Sequence, residues 1–162
     1  MRLKLVVSCI FSMLYLGCSG GSKDVNFISM YYFYGDGKSL YCIGSSSGNI
    51  DSFCNKQKLE YDMDIGRSQK FVLSPKAIQY IAQYIDRECI NEKQGLNDVD
   101  YYEVKRYHLS ASTSKEDECA YYNEKKVKSY FDGMIKWINK SEYKSECKQL
   151  ISQLQTFVNN SK

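Results

Sequence analysis

Apolar residues change their period along this 162-residue chain, and that change restricts the fold more than any other feature. Val25 to Tyr34 is rich in β-branched and aromatic residues and stops at Gly35-Asp36-Gly37, the pattern of a strand. Residues 39–43 and 50–54 flank a Gly/Ser/Asn turn and are expected to pair as a hairpin. From Lys58 to Ile65 the residues Leu59, Tyr61, Met63 and Ile65 alternate with Lys58, Glu60, Asp62 and Asp64, a period of two that predicts a half-buried strand. Phe71 to Leu73 adds a short one. The period then becomes helical. Ser74-Pro75 supplies an N-cap hydroxyl and a first-turn proline, and Ile78, Ile81, Ala82, Ile85 and Cys89 follow on one face. Val99 to Ser110 reads as the longest strand, with Glu118 to Tyr122 pairing to it. Two helical stripes close the chain. Val127, Phe131, Met134, Ile135 and Ile138 make the first; Tyr143, Cys147, Leu150, Ile151, Leu154, Phe157 and Val158 make the second, with a break at Asn139-Lys140-Ser141. This order predicts an α+β domain: an antiparallel sheet with one mid-chain helix and a C-terminal helix pair on one face.

Upstream of the first strand, Arg2 and Lys4 precede a run of apolar and small residues from Leu5 to Gly17. Charge order and length are those of a secretory signal, too short for a membrane-spanning helix of about 20 residues. Leu14-Tyr15-Leu16-Gly17-Cys18 resembles a bacterial lipobox, with Tyr15 standing where that family usually has leucine. The resemblance implies cleavage before Cys18 and lipid on its thiol and new amino group. Ser19, in place of aspartate, implies sorting to the outer membrane, with the domain facing the periplasm. Several buried acyl chains anchor stably, at about 0.8 kcal/mol per CH₂. The expected organisation is a signal peptide over residues 1–17, the lipidated cysteine and a flexible tether over 18–23, and one α+β domain over 24–162.

Loss of Arg2 and Lys4 with the signal brings the formal charge from +3 close to neutrality, and no dense basic cluster remains. That argues against nucleic-acid binding. Of seven cysteines, Cys9 leaves with the signal and Cys18 takes lipid. Cys42, Cys54, Cys89, Cys119 and Cys147 remain, an odd set in an oxidising compartment. Cys42 and Cys54 lie symmetrically about Gly48 and are the expected pair; the connectivity among Cys89, Cys119 and Cys147 stays open. His108 is the only histidine and there is no C-x-x-C, so no metal site or cofactor is expected.

No catalytic set is expected either. Gly44-Ser45-Ser46-Ser47-Gly48 matches G-x-S-x-G, but that motif needs a strand-to-helix turn, and these flanks read as two antiparallel strands. His108 alternates with Tyr102, Val104 and Arg106 along a strand, which suits a surface or packing role. Asp62/Asp64 and Asp98/Asp100 do not continue into a cation-loop spacing. Glu88 and Glu92 have the i, i+4 spacing of exposed helix charges.

Tyrosine is the anomaly: 15 against a single tryptophan, with pairs at Tyr31-Tyr32, Tyr101-Tyr102 and Tyr121-Tyr122. Its stiff ring and hydroxyl suit protein interfaces. Tyr101, Arg106 and Tyr107 on the long strand are the expected partner-binding residues. Gly17-Cys18-Ser19, and the strand Lys38-Ser39-Leu40-Tyr41-Cys42-Ile43 entering a polar turn, make the chain resemble the small periplasmic lipoproteins that act as immunity proteins for toxins of type VI and related secretion systems. The resemblance implies direct binding to a cognate periplasm-acting toxin, without turnover. A structural or accessory lipoprotein of an envelope or secretion assembly is the alternative.

Overall fold

The computed structural model describes residues 25–34, 37–45, 47–63, 68–88, 101–110, 113–121 and 124–160. The signal segment, Cys18 and the tether lie outside them, as do Ser46, Cys89, Asp98 and Asp100. Strands β1 (Val25–Tyr34) and β2 (Gly37–Gly44) lead into helix α1 (Ser47–Glu60), strand β3 (Ser68–Val72) and helix α2 (Pro75–Glu88). Strands β4 (Tyr101–Ser110) and β5 (Thr113–Tyr121) precede α3 (Glu124–Asn139), a 3₁₀ turn (Glu142–Lys144) and α4 (Lys148–Asn160). The five strands form one sheet in the order β3-β2-β1-β4-β5. β1 pairs antiparallel with both β2 and β4, and β4 with β5, whereas β2 and β3 run parallel.

The class is α+β with a C-terminal helix pair, and two additions change the picture drawn from sequence. The sheet is mixed, and α1 is a further helix on the opposite face. Adjacent parallel strands cannot be joined by a tight turn and need a crossover. α1 supplies it, so residues 50–54 are helical and the expected hairpin is absent. The 58–65 alternation fails for the same reason. α1 runs through Glu60 and ends where the Met63 amide donates to the Lys58 carbonyl (2.9 Å) and the Asp62 amide to that of Leu59 (3.4 Å). Asp62 takes φ 48°, the left-handed conformation that closes helices in this way. Leu59, expected to be buried, is 84% exposed.

Successive side chains of a strand point to opposite faces, and β1 and β2 follow this. Ile28, Met30, Tyr41 and Ile43 join the core beneath α2, α3 and α4. Phe27, Tyr31, Leu40 and Cys42 pack beneath Ile50, Phe53 and Cys54 of α1. An irregularity in the register between Val25 and Phe27 puts Val25 on the same side as Ile28. Gly44 makes room for α1, since a Cβ there would sit 2.8 Å from Phe27 Cδ1 and 3.4 Å from Ile50 Cβ.

On the other face, the stripe Ile78, Ile81, Ala82 and Ile85 of α2 is buried as expected. The Ser74 cap forms too, its Oγ accepting from the Ala77 amide (3.3 Å). α3 and α4 pack as a pair, Phe131 at the middle of one meeting Phe157 near the end of the other at 5.2 Å. Their connection is longer than a tight break: Tyr143 sits in the 3₁₀ turn and Cys147 just before α4. Gly133 lets α2 approach α3. The Tyr84 hydroxyl lies where a Cβ would be and donates to the Tyr130 carbonyl (2.8 Å).

Candidate functional site

A cleft of about 450 Å³ opens where β1 begins, β2 ends and α2 starts. Val25, Asn26 and Ser45 form its sheet side; Lys76, Gln79, Tyr80 and Gln83 come from α2, and Tyr143 closes it from the 3₁₀ turn. On α2 these positions follow an i, i+3, i+4, i+7 spacing, offset from the buried isoleucine stripe of the same helix. One helix thus presents an apolar face to the core and a polar-aromatic face to the cleft.

Two connections fix this arrangement. The Glu146 carboxylate accepts from the Ser74 amide and from Ser74 Oγ (3.0 Å), tying the start of α2 to the segment that leads into α4. Tyr80 stacks on Trp137 with centroids 5.0 Å apart, and the two exchange hydrogen bonds. The Tyr80 hydroxyl donates to the Trp137 carbonyl (3.3 Å), and Trp137 Nε1 donates to the Tyr80 carbonyl (3.1 Å). Tyr143 leans against Tyr80 at 5.4 Å. Burial first, then the hydrogen bond with Glu142 and the nearby Glu142 and Glu146 charges, raises the Tyr143 pKa above its ordinary value. Gln79 Nε2 donates to the Val25 carbonyl (2.8 Å), which holds the first residue of the sheet against α2.

The lining therefore offers an ammonium, carboxamides, hydroxyls and two tyrosine rings around the buried Ile78. Among its described residues there is no carboxylate, histidine or cysteine. Among the described residues, no group of three or more His, Cys, Asp or Glu side chains is placed to hold a metal. None of the cleft residues is among the site residues expected from sequence. The signal that finds them is the second stripe on α2, Lys76-Gln79-Tyr80-Gln83, which reads simply as solvent-facing until Tyr143 and Asn26 are seen opposite it.

The expected disulfide is present: Cys42 and Cys54 are bonded, with Cα atoms 5.7 Å apart. It joins β2 to α1 rather than the two arms of a hairpin. Cys147 is a buried free thiol. The side chains of Tyr101, Arg106 and Tyr107 lie outside the described ones, but the β4 backbone gives their register. Tyr107 sits across from Phe27 and Tyr101 across from Phe33, whereas Arg106 sits across from Ile28. Paired residues share a face of a sheet, so the three expected anchors do not form one cluster. Tyr101 and Tyr107 take register positions of the α1 side, and Arg106 takes one of the other.

The flanks of the G-x-S-x-G match also differ from expectation. β2 passes into a helix and β3 returns parallel, which is the strand-turn-helix order that motif uses. Ser46 itself lies outside the described residues, and His108 is placed only by its backbone pairing with Val25. No described helix is long and apolar enough to cross a membrane. Compared with protein-family models, curated proteins and solved structures, the chain finds no match.

Proposed function

We propose that this protein is an exported binding protein, held to the outer membrane by lipid on Cys18, which neutralises a periplasm-acting toxin by direct contact. The observation that carries the address is the Cys42–Cys54 disulfide, because such bonds persist in oxidising compartments and are rare in the cytosol. It agrees with the basic start, the apolar run and the Gly17-Cys18 junction. For binding, the supporting feature is the β4 register. Tyr101 and Tyr107 hold register positions of the α1 side of the sheet, while α1 itself packs over β1, β2 and β3. A tyrosine-bearing strand beside a helix suits the few aromatic anchors that concentrate interface energy. Arg106, on the alternate register, leaves the contact set.

The test follows the full chain in cells. Labelled palmitate should enter wild type and not Cys18→Ala. Cells lacking the gene should become sensitive to an effector encoded beside it, and the exported chain should restore resistance where a cytoplasmic copy does not. Tyr101→Ala with Tyr107→Ala should weaken toxin capture by at least about 1–2 kcal/mol, with Arg106→Ala close to neutral. Unchanged resistance after gene deletion, with co-purification of envelope-assembly components, would replace this reading with the accessory one. A hydrolase activity abolished by Ser46→Ala would replace both with an enzyme.

A further inference from the structure

The cleft at the start of α2 is a built feature that toxin neutralisation does not use, and its chemistry narrows what it can hold. Its volume, about 450 Å³, falls within the roughly 300–1,000 Å³ of small-ligand sites. Among the described lining residues, Lys76 is the one cation and no carboxylate opposes it. Gln79 spends its Nε2 on the Val25 carbonyl, so the amide oxygen is what it has left to offer. Gln83 is exposed and brings a whole carboxamide. Tyr80 and Tyr143 are half-buried and line the cleft together, with Tyr80 fixed against Trp137.

Each ligand class makes a different demand of such a wall. A nucleotide or polyphosphate needs several cations, and one ammonium is too few. A cationic ligand needs a carboxylate, which the described lining lacks. A fatty chain would match Val25, Pro75 and Ile78 but leave Lys76, Gln79 and Gln83 on the same wall unmatched. Vicinal hydroxyls on a sugar ring both donate and accept, as carboxamides do, and the C–H face of the ring matches a tyrosine. One cation beside them suits one negative charge.

We propose that this cleft binds a short acidic saccharide, its carboxylate on Lys76, its hydroxyls on Gln79 and Gln83, and its ring against Tyr80 and Tyr143. The proposal stands independently of the toxin reading, and its test uses no toxin. The full chain, purified from cells in detergent, is titrated by calorimetry with cellobiouronate, cellobiose and acetate. These probes separate ring plus charge from ring alone and charge alone. Cellobiouronate should bind at least tenfold tighter than either control. Lys76→Gln should bring it down to the cellobiose level, and Gln83→Ala should weaken both sugars by a similar factor. Lys76 and Gln83 are exposed, and an unchanged thermal midpoint in each variant verifies that the fold is intact. Equal binding of cellobiouronate and acetate overturns the proposal, because the ring would then contribute nothing. So does no binding of any probe, or a cellobiouronate affinity that Lys76→Gln leaves in place.

Discussion

The two faces of the sheet are covered by different means. Beneath α2, α3 and α4 the core is continuous and built from helix stripes: Ile78, Ile81 and Ile85 meet Met134, Ile138, Leu150 and Leu154, all fully buried. Beneath α1 the apolar cluster is small. Ser29 is buried there with no hydrogen-bond partner for its hydroxyl among the described residues, and Gln57 is buried on α1 itself. What α1 lacks in area it makes up by connection: the Cys42–Cys54 bond, the Phe27–Phe53 stack at 4.7 Å, the Tyr31–Tyr61 stack at 4.0 Å and the exposed Lys70–Asp51 ion pair. The first face is held by the hydrophobic effect over many residues, the second by a covalent bond and a few ring contacts. A helix can be secured either way, but only the first way writes itself into the periodicity of the sequence.

The largest expected effect is on the broad face. Ile81→Ala removes a fully buried side chain from its centre and should lower global stability by about 4 kcal/mol, read as a shifted urea midpoint with all helices unfolding together. Removing the bond on the narrow face, by Cys42→Ala with Cys54→Ala, should cost about 3 kcal/mol on the chain-entropy model. Hydrogen exchange should then show α1 opening while α2, α3 and α4 keep their protection. Equal loss of protection across all four helices would make the two faces one cooperative unit and end the distinction. Gly133→Ala drives a methyl into the Tyr84 hydroxyl and its bond to the Tyr130 carbonyl, and should destabilise by about 2 kcal/mol.

The smallest effect is a matter of pH. Burial, with the Glu146 charge second, pushes the Cys147 thiol from 9.0 up to about 11. The folded chain therefore keeps this proton longer than the unfolded one. The stability linked to it is complete below pH 9 and is lost as pH rises toward 11. Between those values the urea midpoint of wild type should fall more steeply than that of Cys147→Ala; Tyr41, whose pKa burial also raises, is common to both. Parallel curves would show that the thiol is not coupled to folding.

The same contrast explains what could be read in advance. α2 was legible because Ser74-Pro75 starts it and an unbroken isoleucine stripe runs along it, and α3 and α4 were legible from their own stripes. α1 was not. Its buried residues Ile50, Phe53, Cys54 and Gln57 do fall at helical spacing, but the last is polar and the run begins in Ser47-Gly48-Asn49. The helix is specified by the parallel β2–β3 pairing, a long-range fact that no local window contains. The disulfide was found from a wrong premise: a hairpin and a strand-helix crossover both bring Cys42 and Cys54 together. Tyr101 and Tyr107 part from Arg106 by parity, since odd and even positions of one strand take opposite faces. The cleft stayed hidden because its walls come from four separate elements.

Among the described elements β1 is made first, and it is the middle strand of the finished sheet. Its β2 edge is satisfied at once by the next segment, but its other edge must wait for β4, which pairs Ile28 with Arg106. A chain made N-terminus first thus carries an open hydrogen-bonding edge until β4 follows. That favours late folding, because the non-local pairing must meet its closure entropy before any reward. The order of elements favours a sheet that is completed only after α2 and β4 have been made.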